Sequence, residues 1–302
     1  MATDTTTDYL RPEIASNLGS MELVARFVVE GFITGLHKSP YHGFSVEFAE
    51  HRPYLPGDAI RNIDWKLFGR TDRHYIKQFE EETNLKAHII VDASRSMNYT
   101  SNPKRITKYR YATMLAAALA YLLTRQQDAV GLGIFDDELR TFMPARLKQS
   151  YLREMLRILQ TTEPSNTTRT ETALRRVAER LTRRGLVIVI SDFLDEPEQI
   201  MLPLRLMRHA GHEVIAFQIL DPAERTLELD SADATIIDME TGLQMRTQPY
   251  QLQASYQKSV ESFLASLKDS LLSEGIDYLL LETTTPFDRA LLEYLHKRQQ
   301  MR

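Results

Sequence analysis

Five runs of this chain are almost continuously apolar: residues 87–92 (AHIIVD), 129–135 (AVGLGIF), 186–191 (LVIVIS), 213–220 (EVIAFQIL) and 277–281 (DYLLL). Strands with one wet face alternate apolar and polar residues, whereas strands covered on both faces do not. These runs therefore read as the strands of a mostly parallel sheet. The stretches between them have helical spacing. Within 105–125, Tyr109, Ala112, Leu115, Ala116 and Leu119 recur at three- and four-residue intervals. Residues 171–184 are amphipathic and stop at Gly185, which suits a C-terminal cap. Residues 198–209 stop similarly at Gly211, and a longer stretch, 250–273, ends before Gly275. Strands alternating with helices predict a doubly wound α/β domain.

The first 85 residues lack that alternation. A helical pattern runs over 21–36, then a Gly-, Ser- and aromatic-rich stretch over 37–48, then a charged segment, 52–82, around the turn Pro56-Gly57-Asp58. This part reads as an N-terminal segment (1–85) packed on the α/β domain (86–285), with a C-terminal helix over 286–302. The only tryptophan, Trp65, is expected to anchor the segment against the core. The polar, alternating stretch 226–245, with Thr241-Gly242 at its turn, predicts a β-hairpin inserted after a core strand.

Composition narrows the chemistry. The 302 residues contain no cysteine, which excludes disulfides, thiolate zinc sites, iron–sulfur clusters and cysteine nucleophiles. Any metal must be held by oxygen or imidazole. Lys+Arg 37 against Asp+Glu 41 gives a net charge of -4, too balanced for a dedicated nucleic-acid binder. The basic residues between Arg52 and Lys77 are interleaved with Asp58, Asp64 and Asp72, which suits ion pairs or a solvated face. Residues 1–8 (MATDTTTD) lack the basic and apolar regions of a secretory signal. The longest apolar stretch, 115–123, is far shorter than the roughly 20 residues of a spanning helix. A cytoplasmic, not membrane-spanning, protein is expected.

The sharpest chemical signal follows the first strong strand. In VDASRSM, Asp92, Ser94 and Ser96 have period two, so an extended loop can point all three side chains one way. One carboxylate and two hydroxyls are hard oxygen donors, suited to Mg²⁺ or Mn²⁺. Loops at the C-terminal strand edge are where doubly wound sheets bind ligands. Two more elements belong to that edge. Thr168 and Thr170 precede an amphipathic helix, and Asp192 ends the apolar strand LVIVIS. A helix cap for Thr168 or Thr170 and a turn role for Asp192 remain open on spacing alone.

Asp92-x-Ser94-x-Ser96, a Thr168 before a helix and a strand-terminal Asp192 resemble the metal-ion-dependent adhesion site of von Willebrand factor type A domains. Upstream lie Glu47-Phe48, Arg52-x-Tyr54-x-Pro56-Gly57-Asp58-x-x-Arg61-x-Ile63-Asp64-Trp65-Lys66, Arg70 and Phe79-Glu80-x-Glu82. With the DxSxSM stretch, they resemble the bacterial domain-of-unknown-function 58 family. The resemblance implies a von Willebrand factor A-like, Rossmann-type domain behind a family-specific N-terminal segment. It also implies a metal set of Asp92, Ser94, Ser96, Thr168 and Asp192, and a MoxR-type AAA+ ATPase as partner.

Two classes of function compete. With only Asp92 and Asp192 charged, a divalent ion would be under-neutralised and would take a carboxylate from outside. That describes a protein-interaction module in which the metal receives an acidic residue of a partner. The alternative is a Mg²⁺-dependent hydrolase of phosphoesters or peptides at the same site. Phosphoryl transfer of comparable topology places a second acid two residues beyond the nucleophilic Asp, and that position is Ser94. No catalytic residue is therefore assigned. The chain has no GxSxG elbow, and His88 lies within a strand, where a core or solvent-facing role fits. His209 and His212 flank Gly211 at a helix end, where a cationic His suits the dipole; zinc there would need a third ligand. A structural domain with no metal is the remaining reading.

Overall fold

The computed structural model describes residues 11–38, 51–53, 65–73, 75–77, 85–165, 169–228, 234–239 and 242–300. The chain opens with α1 (Pro12–Ser16) and α2 (Met21–Lys38). A two-stranded antiparallel ribbon follows, β1 (His51–Pro53) with β2 (Tyr75–Lys77), on either side of α3 (Trp65–Thr71). The α/β part then runs β3 (Lys86–Asp92), α4 (Lys108–Arg125), β4 (Ala129–Phe135), β5 (Leu139–Arg146), α5 (Gln149–Thr161), α6 (Thr170–Arg180) and β6 (Leu186–Ser191). It continues with α7 (Pro197–His209), β7 (Glu213–Leu220), α8 (Pro222–Thr226), the hairpin β8 (Ala234–Ile237) and β9 (Gln244–Thr247), α9 (Pro249–Ser273), β10 (Asp277–Glu282) and α10 (Asp288–Gln300).

One six-stranded sheet has the order β10-β7-β6-β3-β4-β5, parallel except for β5 at its edge. The doubly wound fold expected from the apolar runs is the fold observed. The reason those runs do not alternate lies in the two cores. Ile89, Val91, Ile188, Ile190 and Phe217 pack toward α2, α4, α5 and α10, while Ile90, Val187, Val189 and Ala216 pack toward α6, α7 and α9. The central strands β3, β4, β6 and β7 alternate between two dry faces, so most of their positions are apolar. From the N-terminal part, Met21, Val24, Ala25, Val28, Val29 and Phe32 of α2 join the first core.

Several boundaries differ from the sequence expectation, each for a local reason. α4 begins at Lys108 because Thr107 caps it, its Oγ1 accepting from the Arg110 N–H at 3.1 Å. α6 ends at Arg180, not at Gly185. Gly185 is no helix cap: it precedes β6, and a Cβ there would collide with the Lys86 carbonyl oxygen. Gly211 (φ 87°) and Gly275 (φ 70°) do end their helices in the left-handed region. Trp65 does not anchor the N-terminal segment in a core, since it is 57% exposed, edge-on to Phe68 at 6.0 Å. Besides the short elements α1, β1, α3, β2 and α8, two longer ones went unpredicted, β5 and α5. β5 is an edge strand of only partial burial, and its Pro144 and polar positions mask the pattern. Much of 52–82 lies outside the described residues. No helix among the described residues is long and apolar enough to cross a membrane.

Two tests address this packing. Gly185→Ala forces backbone against β3 and is expected to cost about 2 kcal/mol, read as a lower urea midpoint at unchanged slope. An unchanged midpoint contradicts the close approach. The second concerns His88, which is buried in β3 and stacked on Phe142 at 5.7 Å. Burial, then repulsion from His212 and Lys86, pushes its pKa down to about 4. Its neutral form is favoured by folding, so its contribution is intact above the unfolded-state pKa near 6.5 and falls away between there and about 4. That loss is on the order of 3 kcal/mol. His88→Phe should flatten this part of the acid destabilisation in urea titrations at pH 7 and pH 4.5; an identical acid loss in the variant contradicts the assignment.

Candidate functional site

β3 and β6 are neighbours, with Val91 opposite Ile190, so their C-terminal ends deliver Asp92 and Asp192 to one edge of the sheet. Beyond Asp92 the chain leaves the sheet with Ala93, whose N–H bonds the Phe135 carbonyl at 2.7 Å. It then winds into a single 3-10 turn, Arg95–Asn98, pinned by buried Met97. The Ser94 N–H donates back to Asp92 Oδ1 at 2.8 Å, which closes an Asx turn. The turn leaves the hydroxyls of Ser94 and Ser96 3.1 Å apart. Ser191 Oγ donates to Asp92 Oδ2 at 2.6 Å and accepts from the Phe193 N–H at 3.0 Å.

Phe193, next to Asp192, is held at φ 47° with its ring buried. A non-glycine residue in this region is strained, and such strain persists only where the surroundings enforce it. Here the hydrogen bond to Ser191 and the buried ring do so. The Asp192 carbonyl accepts from Gln218 Nε2 at 2.6 Å, and Gln218 Oε1 accepts from Tyr278 Oη at 2.5 Å. A polar chain thus runs from β10 through β7 to the end of β6.

Lys108, the first residue of α4, is fully buried. Its Nζ donates to Asp192 Oδ2 at 2.8 Å and to Glu224 Oε1 at 2.6 Å. Burial alone would lower an ammonium's pKa, but the two carboxylates outweigh it and hold Lys108 above the usual lysine range. Glu224 is itself tied down. Its Oε2 accepts from the Asp221 N–H at 2.8 Å, and Asp221 Oδ1 accepts from the Ala223 N–H at 2.9 Å, the two halves of a capping box on α8. Asp221 Oδ2 accepts from the Ser101 N–H at 3.0 Å, which links the Asp92 loop to α8.

The electrostatics are lopsided. Asp92, Asp192 and Asp221 are buried and Glu224 nearly so, and the ammonium of Lys108 pairs with two of them, Asp192 and Glu224. Desolvation, then the neighbouring Asp192 charge, pushes the Asp92 carboxyl up to about 7. Burial likewise raises Glu224, against the pull of Lys108. Buried carboxylates in excess of cations take up protons or bind a cation. The donors here are carboxylate and hydroxyl oxygens, the chemistry of Mg²⁺ and Mn²⁺ sites.

Of the residues singled out in the sequence, Asp92, Ser94, Ser96 and Asp192 are brought to one edge. Thr168 lies outside the described residues. Ser165 before it donates its N–H to the Ala93 carbonyl at 3.0 Å. Among the described residues no group of three or more His, Asp and Glu is placed to hold a metal. His209 and His212 accordingly make no zinc site, and the Asp92 set rests on two carboxylates with hydroxyls. Sequence reasoning missed Lys108, Ser191, Gln218, Asp221 and Glu224. The D-P-A-E capping box at 221–224 was a legible signal for two of them; a lysine directly after a Thr cap carried none.

The Mycobacterium tuberculosis protein called "Uncharacterized protein Rv1480" is 33% identical to this chain over 239 residues, 77% of this chain and 73% of its own. Similar solved structures include the conserved hypothetical protein BatB from Bacteroides thetaiotaomicron, with TM-score 0.48 at 16% identity over 72% of this chain and 99% of that one. Another is the SpRpn10 VWA domain, with TM-score 0.41 at 9% identity over 69% of this chain and 94% of that one. Residues 50–263 match the family described as "Protein of unknown function DUF58", and the chain belongs to that family.

Proposed function

We propose that this protein is a divalent-cation-dependent protein-interaction module, with Asp92, Ser94, Ser96, Thr168 and Asp192 holding Mg²⁺ or Mn²⁺. One observation carries the reading: at the C-terminal edge of the sheet Asp192 and Glu224 share one ammonium, while buried Asp92, close enough to Asp192 to feel its charge, has no ion-pair partner among the described residues. A bound cation supplies a Lewis-acidic point that takes a carboxylate from a partner. The chain's own residues do the rest. Ser191 and the Ser94 N–H fix the Asp92 carboxylate from both sides. Lys108 takes part of the charge of Asp192 and Glu224, so the site stays under-neutralised without becoming a strong chelator. The family resemblance supports a MoxR-type AAA+ ATPase as the partner.

The hydrolase reading has less support. Ser94 stands where a second acid would be, and Glu224 is held by Lys108 and the Asp221 N–H, so it lacks the freedom of a general acid or base. Purified protein with Mg²⁺ or Mn²⁺ is expected to leave aryl phosphates and peptides at background rates. Turnover abolished by Asp92→Ala would replace the interaction reading with catalysis.

Two measurements test the cation. A divalent ion must displace the proton that Asp92 holds up to about pH 7, so affinity rises with pH through that range. Calorimetry with Mg²⁺ should show about tenfold tighter binding at pH 8 than at pH 6; equal affinities contradict the role of Asp92. Asp92→Asn keeps both hydrogen bonds, since the amide oxygen faces the Ser94 N–H and the amide nitrogen can donate to Ser191 Oγ. A carboxylate with raised pKa stabilises the fold at low pH and loses that contribution as pH climbs past the folded value. The variant should therefore melt higher than the parent at pH 8 without metal, and Mg²⁺ should no longer raise its Tm. A lower Tm with the Mg²⁺ response intact overturns the site.

A further inference from the structure

Beside the candidate cation site lies a groove of about 510 Å³, a volume in the range of ligand sites. Ser96, Tyr99, Glu224, Leu227, Ile237 and Tyr256 are among the residues that line it. The β8–β9 hairpin contributes Ile237, which is 52% exposed. Leu227, at φ 51°, ends α8 in the left-handed region and is itself buried against the groove.

We infer that this groove and the cation site form one composite recognition surface. Its occupant is a segment of a partner protein that presents an Asp or Glu side chain with a leucine-sized apolar residue next to it. The inference rests on the proposed cation site and adds what the partner must carry besides its acid. Three observations support it. Ser96, a partly exposed member of the proposed cation set, also lines the groove together with Tyr99 and Leu227, so the cation site and the groove adjoin. Lys108, at 2.6 Å from Glu224 and shared with Asp192, offsets part of the Glu224 charge that an incoming anion would meet. The walls offer ring and methyl surface, including exposed Ile237, which gains free energy only when an apolar group covers it. A metal site alone selects charge; the groove adds selection by shape and hydrophobicity.

Full-length protein labelled at Ile and Leu methyl groups tests this by NMR titration with blocked dipeptides in Mg²⁺. N-acetyl-Asp-Leu-amide is expected to shift the methyl signals of Leu227 and Ile237. Replacing the probe's Leu by Gly, or its Asp by Asn, should weaken binding about tenfold, and EDTA should act like the Asn probe. Ile237→Ser should weaken the Asp-Leu probe about as much as the Gly probe does, while calorimetric Mg²⁺ binding stays unchanged. Equal binding of the Asp-Leu and Asp-Gly probes, or no binding of Asp-Leu by protein that binds Mg²⁺, overturns the groove and leaves the cation reading standing. Binding of the Asn-Leu probe with EDTA present overturns the composite surface in favour of a plain apolar groove. Octanoate binding more tightly than the dipeptide would assign the surface to lipids and overturn it as well. Absence of any Mg²⁺ binding overturns the cation reading itself.

Discussion

The Lys108 ammonium, buried between Asp192 and Glu224, is the interaction around which this end of the molecule is organised. Removing an ammonium from water is costly unless carboxylates and hydrogen bonds meet it. Here it also stands at the N-terminal end of α4, where the helix dipole disfavours a cation. The arrangement persists because two carboxylates from different elements converge on it. It ties the start of α4 to the end of β6 and to α8 in one step. Breaking it would leave the charges of Asp192 and Glu224 without this cation, beside an Asp92 that has no cation of its own among the described residues.

The same constraint explains why the site is poised rather than satisfied. One ammonium serves more carboxylates than it can neutralise, and desolvation raises Asp92 toward neutrality of solution. The strained Phe193 turn and the buried Gln218–Tyr278 chain hold Asp192 in place, which fits a site kept rigid for recognition. A fold selected for stability alone would replace such a cluster with apolar side chains at little cost. The protein instead keeps it at the strand edge where doubly wound sheets bind their ligands.

Much of this was legible in the chain itself. Three of the five apolar runs coincide with the observed strands, and β3 and β10 differ from theirs by one residue, because two-sided burial writes an unbroken apolar signature. Asp92, Ser94, Ser96 and Asp192 were legible because strand ends and period-two spacing place them without knowledge of the tertiary fold. Lys108, Glu224 and Gln218 were not, since each acts through partners distant in the chain, from Gln218–Asp192, 26 residues apart, to Lys108–Glu224, 116 apart. No local pattern encodes such a meeting. Gly185 misled for a related reason: a glycine after an amphipathic run looks like a cap, but its role is to let β6 approach the Lys86 carbonyl. Trp65 misled through its composition, because a large ring is more often buried than its 57% exposure here.

The proposed divalent cation would match the excess buried negative charge at this edge. Anomalous scattering from crystals grown with Mn²⁺, collected near the manganese edge, tests it most directly. A peak bonded to oxygen atoms of Asp92 and the Ser94–Ser96 turn is expected, lost in Asp92→Asn crystals grown in the same way. A Mn²⁺-saturated crystal with no peak at that edge of the sheet, and Asp92 still hydrogen-bonded as a neutral acid, would contradict it.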